Sequence, residues 1–124
     1  GTETPLAVRA CPRLTDAVIA TTDPDLFTGA ELGAWSQVRA AARLARLGCD
    51  AYAYAMLAAG RIDLVAESGL KVWDWSALVP VIEAAGGEVT NWRGETPDGS
   101  GQILAVGDVG IRDQALVTLR RASL

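Results

Sequence analysis

Short β-branched apolar runs alternate with helix-patterned segments along the whole chain, and this alternation constrains its fold more than any other feature. Strands and helices that alternate in sequence bury their apolar faces best when the strands share one sheet and the helices cover it. The expected class is therefore α/β, a mixed and mostly parallel sheet with helices on both faces, built as a single domain over residues 1–124. Half of the residues are apolar, enough to bury a core without disulfides or a structural metal. No internal repeat or low-complexity tract interrupts the pattern.

Residues 1–13 read as irregular or a short edge strand, because Pro5 and Pro12 cannot donate to a ladder. Residues 17–22 (AVIATT) read as a buried strand that stops at the turn Asp23-Pro24, followed by a loop to Gly33. Residues 34–47 carry a helical composition, and residues 51–59 (AYAYAMLAA) suit a helix buried between layers. A strand is expected over residues 62–67. Asp74 is suited to cap a helix in which Ala77, Leu78, Val81, Ile82 and Ala85 recur at helical spacing, with a kink at Pro80 and a stop at Gly86-Gly87. Strands over residues 88–92 and 103–106 then flank a polar, glycine-rich loop. Asp108 caps a last helix running to about Ala122, with Ile111, Ala115, Leu116 and Leu119 facing inward.

The net charge of −4, with its lysines and arginines scattered, disfavours nucleic acid and anionic membrane surfaces as partners. No apolar run reaches the length of a membrane span and residues 1–10 lack the zones of a signal peptide, which makes the cytoplasm the expected compartment. The chain has no histidine, and Cys11 and Cys49 stand far apart outside any CxxC pattern. Zinc and a histidine-assisted nucleophile are thereby disfavoured, and a metal would have to be held by oxygen, which suits Mg²⁺, Mn²⁺ or Ca²⁺.

The stretch from Gly48 to Gly94 carries a Gly-led helix, the entry Ala59-Gly60-Arg61-Ile62-Asp63, and Glu67 at a strand end. It continues with the pair Trp73-Asp74 opening a helix and the close Ala85-Gly86-Gly87. In this order the segments resemble the C-terminal signature of the inositol monophosphatase family. The wording GLKVWDWSALVPVIEAAGG is similar to the histidinol-phosphate phosphatase branch, whereas inositol-type members usually carry Ala-Ala-Gly where this chain has Ser76-Ala77-Leu78. The resemblance implies that residues 42–47 form a strand after a shorter helix. It also implies a Mg²⁺-dependent hydrolase of a small phosphate monoester, most directly L-histidinol phosphate in histidine biosynthesis, with inositol monophosphate or a related sugar phosphate as the alternative.

That family carries most of its metal ligands in an N-terminal half, on a Glu-Glu pair and an Asp-Pro-Ile-Asp-Gly-Thr motif, and neither occurs here. Asp23-Pro24-Asp25-Leu26 shares only the first two letters and reads as a turn. The chain is thus expected to be a C-terminal part, inactive alone, whose partners are the N-terminal half of the same enzyme and further copies in a homo-oligomer. By the resemblance, Asp74 is the metal ligand. Glu67, seven residues before it, holds the organic part of the substrate, and Gly48, Cys49 and Asp50 approach the substrate at the mouth of a helix. Asp50 beside Glu67 suits an amine and an imidazole better than a neutral polyol. Plain helix caps are the competing reading for Asp74 and Asp50, a solvated strand end for Glu67, and a solvated loop side chain for Lys71. Tyr52, Tyr54 and Met56 read as core, Trp73 and Trp75 as packing that fixes Asp74, and Cys49 as a small buried side chain. A non-catalytic α/β module for binding or assembly is the alternative of a different class.

Overall fold

The computed structural model describes residues 6–124. One five-stranded sheet in the order β2-β1-β3-β5-β4 forms the centre. Its strands are β1 (Val18–Thr21), β2 (Leu44–Leu47), β3 (Leu64–Glu67), β4 (Glu88–Thr90) and β5 (Ile103–Val106). β1 pairs in parallel with β2 and with β3, while β5 runs antiparallel to both β3 and β4. The sheet is therefore mixed, with parallel pairing on one side of β3 and antiparallel pairing on the other.

The strand side chains alternate between two cores, as a period of two requires. Ile19, Leu64, Ala66, Leu104 and Val106 face a cluster completed by Trp35, Trp92, Ile111, Leu116 and Leu119. Ala20, Val65, Ile103 and Ala105 face the opposite cluster, with Tyr54, Leu57 and Ile82. The first cluster is covered by α1 (Ala30–Ala41) and α5 (Val109–Leu119), the second by α2 (Tyr52–Ala58) and α4 (Leu78–Ala84). β1 leads through α1 to β2 on one side, and β2 returns through α2 on the other face to β3 on the far side of β1. In open sheets such a reversal leaves a crevice at the carboxyl ends of the strands.

Several sequence expectations hold in detail. β2 begins at Leu44 after a helix that ends at Ala41, as the resemblance implied against local propensity. Asp108 caps α5, its carboxylate accepting from the Gly110 amide at 2.8 Å, and Asp23 accepts from the Asp25 amide in a 3₁₀ turn. The part of the N-terminal stretch described, from Leu6, is irregular.

Others are corrected. The loop expected up to Gly33 ends sooner, because α1 starts at Ala30; Glu31 Oε1 accepts from the Thr28 amide at 2.8 Å, the reciprocal half of a capping box. The run around Pro80 is two helices rather than one kinked helix, α3 (Val72–Trp75) and α4. Pro80 falls in the first turn of α4, where its missing amide has no helical partner to lose. α2 buries only one face, for Tyr52 is 67% exposed and not core.

Asp63 joins the irregular N-terminal segment to the sheet. It is 1% exposed, accepts from the Val18 amide at 2.9 Å and from Arg9 through Nε at 3.0 Å and Nη2 at 2.5 Å. Replacing it by alanine strands a buried amide and frees Arg9, so Asp63→Ala should lower the unfolding free energy by about 2 kcal/mol. Urea unfolding followed by circular dichroism measures this, and an unchanged midpoint would rule out the latch.

Candidate functional site

A cleft of about 280 Å³ opens where β1 and β3 end. The register Ala20↔Val65 sets Thr22 level with Glu67, and the Thr22 hydroxyl donates to Glu67 Oε1 at 3.2 Å. Glu67 is 5% exposed and forms the cleft floor beside Tyr54 of α2. Burial pushes its carboxyl above the ordinary glutamate value; the Thr22 and Tyr54 hydroxyls oppose this, and the charges of Asp50 and Asp74 add to it. The Tyr54 hydroxyl is buried too, and its titration is pushed far upward by burial and by Glu67. It lies within reach of Glu67's field but makes no hydrogen bond of acceptable geometry.

Asp50 and Asp74 line the same cleft from two other segments. Asp50 adopts the left-handed conformation, φ 48°, as the one non-glycine residue with positive φ among those described. This conformation is uncommon outside glycine but tolerated by aspartate. α2 starts after Ala51 without a side-chain cap, so the Asp50 carboxylate is not capping and is exposed at the cleft. Asp74 is exposed as well, and it is not an N-cap. It occupies the third position of α3, where Oδ2 accepts from the Lys71 amide at 2.8 Å. That single bond fixes the carboxylate and leaves Oδ1 without a hydrogen bond among the described residues. Because α3 is a single turn, its dipole adds little for an anion.

The loop that delivers α3 is pinned from below. The Leu70 amide donates to the Gly101 carbonyl at 3.2 Å, and Gly101 has φ 78°. A Cβ there would come 2.8 Å from the Leu70 carbonyl oxygen, so only glycine allows the approach. The other expected residues are less directly involved. Gly48 donates its amide to the Thr22 carbonyl at 2.7 Å and Cys49 is half-buried, its thiol facing the Leu47 carbonyl; neither lines the cleft. Trp75 packs against the core, whereas Trp73 is 74% exposed and fixes nothing. Lys71 is exposed.

Sequence reasoning passed over Glu31. Its carboxylate is 4% exposed and accepts from the Ser68 hydroxyl at 2.5 Å, from Gln102 Nε2 at 2.8 Å and from Thr28. Burial pushes its titration up, but the bonds from Ser68, Thr28 and Gln102 outweigh it and the net shift is downward. This network anchors the residue that follows Glu67, and the Thr28-x-x-Glu31 spacing was its visible signal.

As for a divalent ion, no group of three metal-capable side chains occurs among the described residues. The donor set present, one free carboxylate oxygen on Asp74 with Glu67 sunk in the floor, fits one corner of an oxygen cage and not a whole one.

The sequence profile of the inositol monophosphatase family matches residues 2–123. The chain belongs to that family. Among its relatives, the chloroplastic bifunctional phosphatase IMPL2 of Arabidopsis thaliana is 45% identical over 123 residues, covering 92% of this chain and 36% of that protein. A histidinol-phosphatase of Chlorobaculum parvum is 33% identical over 60% of this chain and 29% of its own length. A solved inositol monophosphatase from Zymomonas mobilis superposes with a TM-score of 0.89 at 37% identity, over 93% of this chain and 46% of that one. The chain thus has the family fold and spans between about a quarter and a half of these relatives' lengths. Among the described residues no helix is long and apolar enough to cross a membrane.

The raised titration of Glu67 has a definite sign in stability. A carboxyl whose folded pKa lies above its unfolded one contributes at low pH, and that contribution is lost as pH rises through the folded value. Glu67→Gln should therefore melt higher than the parent at pH 7, with the gain shrinking as the pH falls into the range where Glu67 protonates. Thermal melts across that range check it, and a variant less stable at neutral pH would contradict the buried-charge reading.

Proposed function

We propose that this chain is the C-terminal part of a Mg²⁺-dependent phosphate monoester hydrolase that acts on L-histidinol phosphate. The observation that carries the reading is the meeting of Asp50, Glu67 and Asp74, from three separate segments, on one cleft. Asp74 offers a fixed but partly free carboxylate for the metal, and Glu67 and Asp50 bind the organic part of the ester. A bound divalent ion would activate water and neutralise phosphate charge. The remaining ligands belong to another segment of the enzyme, since a single carboxylate does not hold such an ion.

The histidinol ester is favoured by the cleft's charge. Among the described residues three carboxylates and no lysine or arginine line it, together with the apolar side chains of Leu26, Leu70 and Leu78. A ligand with an amine and an imidazole complements this better than a neutral polyol. The similarity to a histidinol-phosphatase supports the reading, and the inositol ester remains the second one because inositol-1-monophosphatases of Mycobacterium are 36% identical over a comparable stretch.

In the enzyme that joins this chain to a segment bearing the Glu-Glu and Asp-Pro-x-Asp-Gly-Thr motifs, kcat/KM should favour L-histidinol phosphate over myo-inositol 1-phosphate. Equal values, or a preference for the inositol ester, would remove the substrate assignment. In the same enzyme Asp74→Asn should lower kcat about 100-fold or more, equivalent to losing roughly 3 kcal/mol of transition-state stabilisation. Phosphate release measures both, and a fall under about threefold would show that Asp74 holds no metal.

A further inference from the structure

The acidic cleft contains one polar group without a function in the fold. The Tyr54 hydroxyl is buried, lines the cleft and lies beside Glu67, yet among the described residues it makes no well-aligned hydrogen bond. Leaving a buried hydroxyl unpaired costs free energy, so in a native site such a group calls for a missing partner. Its immediate neighbours narrow what that partner can be. Glu67 Oε1 already takes the Thr22 hydroxyl, and Asp50 and Asp74 add two exposed carboxylates across the opening. Among the described residues no lysine or arginine lines the cleft to answer them. The walls beside Tyr54 are apolar, formed by Ala51, Leu70 and Leu78.

We infer that Tyr54 is a substrate-specificity residue whose hydroxyl, together with the Glu67 carboxylate, binds the protonated nitrogen of an organic cation. The phenol is both donor and acceptor: it turns its hydrogen to Glu67 and presents its oxygen lone pair to an N–H⁺ of the ligand. The ligand nitrogen then donates to Tyr54 and Glu67 at once, and its apolar carbons lie against the leucines. A neutral polyol also reaches these groups but brings no charge to set against the carboxylates, so the phenol discriminates between ligands instead of raising affinity for all. This rests on the phosphatase reading for the identity of the substrate. It does not rest on it for the groups invoked, Tyr54 and Glu67, which both line a cleft of this chain.

The test is Tyr54→Phe, which keeps the ring packing and removes only the hydroxyl, with a cooperative thermal melt showing that the variant is folded. In the two-segment enzyme the ratio of kcat/KM for L-histidinol phosphate to that for myo-inositol 1-phosphate should fall about 10-fold, carried by KM for the cationic ester, with kcat nearly unchanged. An unchanged ratio, or a loss in kcat rather than KM, would overturn the assignment. Binding of L-histidinol itself, by isothermal titration, separates the two readings. If neither ester is hydrolysed the phosphatase reading fails, yet Tyr54 is still supported when the variant binds L-histidinol about 10-fold more weakly than the parent. It is refuted when the two bind alike or neither binds.

Discussion

Glu67 ends the central strand of the sheet with its carboxylate 5% exposed, and a charge held out of water at that point constrains everything around it. Hydrogen bonds must come from a neighbouring strand end, and Thr22 provides one because parallel pairing brings β1 and β3 to a halt at the same level. The chain must then leave β3 along a fixed path. Ser68 is held by Glu31, and Leu70 by Gly101, so that Asp74 emerges at the rim four residues later. The same order of connections that puts α1 and α2 on opposite faces leaves the crevice open above Glu67.

Two buried glutamates near this point titrate in opposite directions, which separates scaffold from site. Glu31 is surrounded by donors, and its bonds outweigh the desolvation that opposes its charge. Glu67 has only the Thr22 and Tyr54 hydroxyls near it as donors among the described residues and faces two further carboxylates, so desolvation prevails. A fully satisfied carboxylate makes a rigid support. An under-satisfied one, next to a phenol that makes no well-aligned hydrogen bond among the described residues, is the feature on which the proposed cation site rests.

Much of the fold was legible in sequence because its signals are local. The β-branched runs at residues 18–21 and 103–106, the Asp108 cap and the inward stripe of the last helix follow from periodicity and propensity. Where tertiary context overrode local preference, they failed. The Leu44–Leu47 strand has a helical composition and is a strand because β1 offers an unpaired edge. The run that periodicity alone would have continued as one helix breaks between Trp75 and Leu78, ahead of Pro80. The site was legible only through the family resemblance, since single carboxylates at residues 50, 67 and 74 have no sequence spacing that announces a common cleft. Tyr54, read as core, is core by burial and a cleft residue by its one polar atom, a distinction that composition does not carry.

In the proposed enzyme, three carboxylates of this chain form one side of a divalent-ion and substrate site completed by another segment. A crystal structure of the joined enzyme with Mn²⁺ and L-histidinol phosphate, with the manganese located by anomalous scattering, tests it most directly. Manganese should lie on the Asp74 carboxylate and the substrate's organic part against Glu67 and Asp50. Manganese held without Asp74, or the ligand bound away from Glu67, would contradict it.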